Sequence, residues 1–354
     1  MDAHKPKRIL FTGYAPVHFI CFKPLYDRLV RLNEVQVFLS GGIKVEDAHA
    51  LYKPFHISTE KILSNEEIKN WDFDMSFSAS ANLVPPRSAG VRVQIFHGLS
   101  FRNRQIREQT MSYDYYFIVG PYMYRKFVMG GLLEEDDPRG LKIGFPKTDR
   151  LLNGEHNRRE LLREYGLDGS RPVILYAPTG EKHNSLETMG GDVVSRLANS
   201  GRYNLLVKLH DHPKDTATDW FSKLAVFEDT YTRVVRDFDV IPLLFLADLL
   251  ITDASSVSSE YSLLDRPMVF LDVPELIGRA MKKKGARVDL DTWGRRGGLV
   301  VGSPDGILEA VESSLGDAKR FAEIRIAMAR DLFYNHGTAT EEGMAWIEKK
   351  ILSL

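Results

Sequence analysis

Residues 249–260 read Leu249-Leu250-Ile251-Thr252-Asp253-Ala254-Ser255-Ser256-Val257-Ser258-Ser259-Glu260. The first four are apolar or β-branched without alternation, as a strand covered on both faces reads. The run breaks into small hydroxyl residues, and a helical pattern follows over Val257–Leu264. Strand, small-residue turn and helix in that order form the repeating unit of a parallel α/β sheet.

The same unit recurs in both directions from this stretch. Strands are predicted at Arg8–Thr12, Val35–Leu39, Asp74–Phe77, Val91–Phe96 and Tyr115–Val119. A second series follows at Val173–Tyr176, Leu205–Leu209, Leu249–Thr252, Met268–Leu271 and Leu299–Val301. Helical patterns lie between them at Lys23–Asn33, Pro121–Gly130, Asn157–Tyr165, Asp192–Asn199, Val257–Leu264 and Ile307–Leu315. The alternation predicts an α/β fold of two doubly wound domains facing across a cleft. The seam is expected near Gly144–Asn157. The division is therefore 1–150, 151–335 and a final segment 336–354, whose helix Glu341–Leu352 is expected to pack back on the first domain. The length of 354 residues suits two domains, at about 100–200 residues each.

Composition narrows the class. A net charge of -1 disfavours a dedicated nucleic-acid binder, which is usually clearly basic. The single cysteine, Cys21, leaves no disulfide within the chain and fits a reducing compartment. Cys21 reads as a small buried hydrophobe. The polar start, Met1 to Arg8, lacks a signal peptide's apolar core. No apolar run approaches the roughly 18 residues of a membrane span. A cytoplasmic protein is expected, with any membrane contact peripheral. The basic run Lys282-Lys283-Lys284 reads as a solvated face or as a contact for an anionic lipid or polymer.

In open α/β sheets ligands bind beyond the carboxyl ends of the strands, so residues just after strands are the candidates. The strand Val91–Phe96 ends in His97-Gly98. A histidine there suits general-base work near neutrality, or it caps the strand end. The segment Lys208-Leu209-His210-Asp211-His212-Pro213 offers Lys208, His210 and His212 to an anion. A metal site would be incomplete with two histidines, and a plain polar loop is the third reading. Ser255 and Ser256 open a helix whose first turn offers unpaired N–H groups, so they read as a pyrophosphate site or as an ordinary N-cap. Glu260, one turn on, either accepts from ribose hydroxyls or is solvated. The loop Ala177-Pro178-Thr179-Gly180-Glu181-Lys182-His183 either meets donor phosphates or is a surface loop. Thr179 is counted with the donor-binding set. Thr12-Gly13-Tyr14-Ala15-Pro16 stands where a dinucleotide-binding glycine fingerprint would, which disfavours a nicotinamide dehydrogenase.

Taken in order, these segments resemble the CDP-glycerol:poly(glycerophosphate) glycerophosphotransferases of teichoic-acid-type polymer synthesis. The family's His-Gly-Thr is similar to His97-Gly98-Leu99, and its Gly-x-Pro-Arg-x-Asp to Gly144-Phe145-Pro146-Lys147-Thr148-Asp149. Its Tyr-Ala-Pro-Thr stands at Tyr176–Thr179, and its Lys/Arg-x-His-Pro resembles Lys208 to Pro213 with two residues inserted. The longest block runs from Ala247 through Thr252-Asp253-Ala254-Ser255-Ser256 and Glu260 to Leu263-Leu264-Asp265-Arg266-Pro267. Gly337-Thr338-Ala339 resembles a late Asp-Gly-x-Ala. Leu99 replaces the family's threonine, and Ala254 its tyrosine.

The resemblance implies a GT-B fold with the nucleotide donor on the C-terminal domain. It implies a transferase moving glycerol phosphate, or a similar polyol phosphate, from a CDP-activated donor to an acceptor hydroxyl in cell-surface polymer synthesis. The acceptor would be a lipid-linked or polymeric glycan. His97 becomes the expected base, and Ser255, Ser256 and His212 (or His210) are expected on the pyrophosphate. No metal or other cofactor is expected. Two readings remain beside it: a UDP-sugar-dependent GT-B glycosyltransferase or epimerase, and a non-catalytic nucleotide- or polymer-binding protein.

Overall fold

The structure, a computed structural model, describes residues 5–42, 45–80, 87–211, 217–285 and 287–352. The chain forms two compact units. Unit one comprises Met1–His97, Gln105–Asp149 and Asp331–Leu354; unit two comprises Gly98–Arg104 and Arg150–Arg330.

Unit one is built on β1 (Lys7–Gly13), β2 (Val35–Gly41), β3 (Ile62–Leu63), β4 (Met75–Ser78), β5 (Val91–Ile95), β6 (Tyr115–Phe117) and β7 (Gly140–Leu141). They form one sheet in the order 3-2-1-4-5-6-7, and every neighbouring pair is parallel. Ile9, Leu10 and Phe11 in the central strand are all fully buried because both faces are covered. Ile9 and Phe11 join the larger core, while Leu10 points the other way into a smaller cluster with Phe38, Leu63, Ile68 and Phe73.

The first helix spans Pro16–Leu29, with Pro16 in its first turn and Pro24 in its interior. The expected start at Lys23 is therefore seven residues late. A proline suits the first turn, where its missing N–H costs nothing, and Pro24 suggests such a start. Instead the helix continues through Pro24, because Phe19, Phe22 and Leu25 bury one face in the unit-one core. Cys21 is buried on this helix, and its thiol donates to the Val17 carbonyl (3.1 Å).

The last helix, Ala339–Leu352, belongs to unit one and supplies Met344, Ile347 and Ile351 to its core. Its start is held by Asp149. That carboxylate accepts from the Ala339 N–H (3.1 Å), the Thr340 N–H (2.6 Å) and the Thr340 hydroxyl (2.6 Å). The Gly-Phe-Pro and Gly-Thr-Ala segments thus meet in a structural clasp. Gly144 sits at φ 98°, and a Cβ there would lie 2.4 Å from the Tyr334 carbonyl oxygen, so only glycine fits.

Burial pushes the Asp149 carboxyl up to about 6, outweighing three donors that favour its charge. A group raised on folding contributes stability that is complete below its unfolded value and is lost as pH rises through the folded one. The net contribution of Asp149 to folding stability should therefore fall as pH rises from about 4 to about 6. The denaturation midpoint, followed against an Asp149→Asn variant, should fall over that window in the wild type only; equal pH dependence in both would refute this.

Unit two is built on β8 (Val173–Tyr176), β9 (Asn204–Lys208), β10 (Thr232–Val235), β11 (Leu249–Thr252), β12 (Met268–Leu271) and β13 (Leu299–Val301). The order is 10-9-8-11-12-13, again all parallel. Alternate residues go to opposite faces. Ile174, Tyr176, Leu249, Ile251, Val269 and Leu271 enter one core cluster; Val173, Leu175, Leu250, Met268 and Phe270 enter the other. Both units therefore contain the doubly wound order 3-2-1-4-5-6, whose direction reverses beside the first strand. The reversals lie between β1 and β4, and between β8 and β11.

Candidate functional site

The reversal in unit two is organised by Asp253, which directly follows β11 and is fully buried. One carboxylate oxygen accepts from the Thr179 N–H (2.9 Å) and the Ala254 N–H (2.6 Å). The other accepts from the Ser185 N–H and hydroxyl (2.9 Å each). Thr252 Oγ1 adds a bond to the Ala177 carbonyl (2.6 Å), and the Tyr176 hydroxyl lies 2.9 Å from Ser185 Oγ. The loops that leave β8 and β11 are thus one hydrogen-bonded body. The surface-loop reading of 177–183 fails for its first four residues, which are buried, Thr179 among them.

Ser255 and Ser256 follow within this body. Ser256 stands at the N-cap of the short helix Val257–Tyr261 but makes no side-chain cap bond, so the ordinary capping reading does not hold. Ser258 and Ser262 bond back to the Ser255 and Ser259 carbonyls (3.0 and 2.6 Å). Glu260 is buried, which removes its solvated reading. Gly98 reaches the same place: a Cβ on it, at φ 150°, would lie 2.9 Å from Ser256 Oγ. Glycine is needed there for close approach as well as for conformation.

Residues 98–104 also bring Arg102, which the sequence reading missed. Its Nη2 donates to Thr179 Oγ1 (3.2 Å), its Nη1 lies 3.9 Å from the Glu181 carboxylate, and its Nε is buried without a hydrogen-bond partner among the described residues. Burial pulls this guanidinium below the usual arginine range, against the opposing pull of Glu181 and Asp253. Glu181 is shared with Arg104 and with Lys283, 4.0 Å away. A desolvated cation whose carboxylate partner is divided three ways is matched to a further negative charge.

The end of β9 is arranged differently. The Lys208 ammonium donates to the Leu209 carbonyl (2.8 Å) and to Asp211 (2.5 Å), with only 7% of its side chain exposed. Its charge is engaged by its own loop. His210 is exposed, and His212 lies outside the described residues. Lys182 is exposed, and His183 Nδ1 is 3.3 Å from Glu275.

In unit one, His97 follows β5 and is half-buried. Its Nδ1 lies 2.8 Å from the Ala79 carbonyl oxygen at the end of β4. A carbonyl only accepts, so Nδ1 carries the proton, and in the neutral ring Nε2 is the basic nitrogen. The strand-end bond and the base reading are therefore compatible. The His97 ring lies 4.5 Å from that of His18, in the first turn of helix Pro16–Leu29. His97 belongs to unit one; Thr179, Lys208, His210, Ser255, Ser256 and Glu260 belong to unit two.

A sequence model of the CDP-glycerol:poly(glycerophosphate) glycerophosphotransferases matches residues 75–347. The chain belongs to this family. That match takes in the His97 segment, the Asp253 body and most of the final helix. Among curated relatives, a teichoic acid glycerol-phosphate primase of Bacillus spizizenii is 35% identical over 37% of this chain and 33% of its own length. A teichoic acid ribitol-phosphate primase of the same organism is 28% identical over 53% of each. The chain thus spans between about a third and about half of these relatives. The wall teichoic acid polymerase TagF superposes with a TM-score of 0.73 at 17% identity, covering 99% of this chain and 90% of that one. A UDP-N-acetylglucosamine 2-epimerase gives 0.58 at 13% identity over 95% and 94%. Both likenesses show the fold, two Rossmann-like α/β units of the GT-B class. No helix among the described residues is long and apolar enough to cross a membrane.

Proposed function

We propose that this chain transfers a polyol phosphate, glycerol phosphate in the first instance, from a CDP-activated donor to an acceptor hydroxyl of a cell-surface polymer. The observation that carries the reading is the Asp253-organised body in a chain of this family: the Thr179 hydroxyl meets the buried Arg102 guanidinium, and Ser255 and Ser256 follow Asp253 in the same body. A TagF variant with a histidine-to-asparagine substitution, also similar in fold, was soaked with CDPG. In the scheme His97 Nε2 accepts the acceptor's hydroxyl proton. The freed oxygen forms a bond to the phosphorus that bears the polyol, the bridging P–O bond breaks, and CMP departs with the electron pair. Arg102 and the Ser255 and Ser256 hydroxyls stabilise the charge growing on the leaving phosphate. No metal ion is needed for this step. Glu260 is assigned to the ribose and His210 or His212 to the phosphates, while Lys208 holds its loop through Asp211. The acceptor is a lipid-linked or polymeric glycan, and the exposed Lys282–Lys284 run suits peripheral contact with an anionic membrane face.

Calorimetric titration with CDP-glycerol, CDP-ribitol, CMP and UDP-N-acetylglucosamine tests the reading without an acceptor. A CDP-polyol should bind best. Arg102→Gln and the Ser255→Ala/Ser256→Ala pair should each weaken it about tenfold or more, as charge-assisted bonds of about 1.5–3 kcal/mol require. Preference for the UDP-sugar would keep the fold and overturn the chemistry. Binding of none would favour a non-catalytic protein.

A further inference from the structure

Two imidazoles share one place in unit one, and only His97 has a role so far. His18 is almost fully buried, with 1% of its surface exposed. Its Nδ1 accepts the Tyr14 N–H (3.3 Å), and the Tyr14 ring meets it edge-on with centroids 4.3 Å apart. His18 also packs on His97, whose ring is inclined 33° at a centroid distance of 4.5 Å. The chain makes room for this placement. A Cβ on Gly13 would lie 2.6 Å from the His18 Cβ, so the residue ending β1 must be glycine for His18 to approach.

The two rings hold opposite tautomers. His97 Nδ1 donates to a carbonyl, so its Nε2 is basic. His18 Nδ1 accepts from a backbone N–H, so its own proton is on Nε2. The His97 side chain ends in a broad, roughly two-fold torsion, and the Nδ1 bond to Ala79 is one restraint on it. A ring packed on its face restricts that torsion further.

We propose that His18 is a positioning residue for His97, holding the base ring in its Nδ1–H orientation. This rests on the reading of His97 as the base. The test pairs a spectroscopic signature with kinetics. Long-range proton–nitrogen correlation of the imidazoles in the whole chain should show N–H at Nδ1 of His97 and at Nε2 of His18. In His18→Leu the His97 nitrogens should average between tautomers. Transfer should fall at least tenfold, with KM for the donor within twofold. His18→Phe, which restores a neutral ring of similar breadth, should recover most of the loss and guards against a leucine variant that fails to fold. A wild-type spectrum with the proton on His18 Nδ1 would overturn the proposal. So would a folded leucine variant that keeps both the His97 tautomer and the turnover. If no CDP-polyol is turned over by the wild type, the functional reading fails, while the spectra still decide the role of His18.

Discussion

Replacing His97 by alanine is expected to lower transfer by about 10²–10⁴-fold, the usual worth of a positioned general base. Donor affinity should change little, because the donor residues assigned here all belong to unit two, whereas His97 belongs to unit one. Nδ1 of the ring is bonded to the Ala79 carbonyl, and that bond decides which nitrogen is basic. His97→Asn makes a sharper variant: its amide can still donate to the carbonyl but has no basic nitrogen. The two variants should therefore be equally slow. Rapid-quench transfer and calorimetry on the same preparations provide the check. An equal drop in turnover and in donor affinity would place His97 in donor binding instead.

The second large effect is expected at Asp253. Its carboxylate accepts four hydrogen bonds from Thr179, Ser185 and Ala254, three of them from backbone N–H groups. Asp253→Ala strands those buried donors, each at about 1–3 kcal/mol. Unit two should lose roughly 3 kcal/mol or more of stability, and donor binding should fall below detection. Asp253→Asn should do nearly as badly, since one oxygen becomes an NH₂ group facing donors. Denaturant unfolding and calorimetry report the two effects separately. A stable alanine variant with unchanged donor affinity would show that the loops after β8 and β11 hold their shape without this residue.

Much of this arrangement was legible beforehand, for a physical reason. β8, β11 and β12 lie at their expected residues because strands covered on both faces are written as unbroken apolar runs; β13 was found as an apolar run too, although Val300 is exposed at the sheet's edge. β10 was not seen: it sits at the sheet's edge as Thr232-Arg233-Val234-Val235, and the arginine interrupts the run. β3 and β7 are two residues each, too short to carry a period. Ile241–Leu246 is apolar all round, and such a run does not distinguish a buried helix from a strand. Pro24 hid the first turns of helix Pro16–Leu29, and with them His18. Ser255, Ser256 and His97 stood at strand ends, where period and topology look for them. Arg102 did not, because nothing local in residues 98–104 says that they join the other unit. Its one sequence-level signal was a basic residue five positions beyond His97. For Glu260 the solvated reading stayed open beside the ribose one, because helical phase alone does not say which face is covered.

Unit one is made of three separated stretches, and this sets an order of events during synthesis. A ribosome delivers β1 through Asp149 first, then all of residues 150–330, and only then the helix Ala339–Leu352 that completes the first core. The unit begun earliest is thus the last to receive its full complement of apolar side chains. Until Met344, Ile347 and Ile351 emerge, the nascent sheet lacks part of its cover. Its clasp residue Asp149 has by then waited nearly two hundred codons for Ala339 and Thr340.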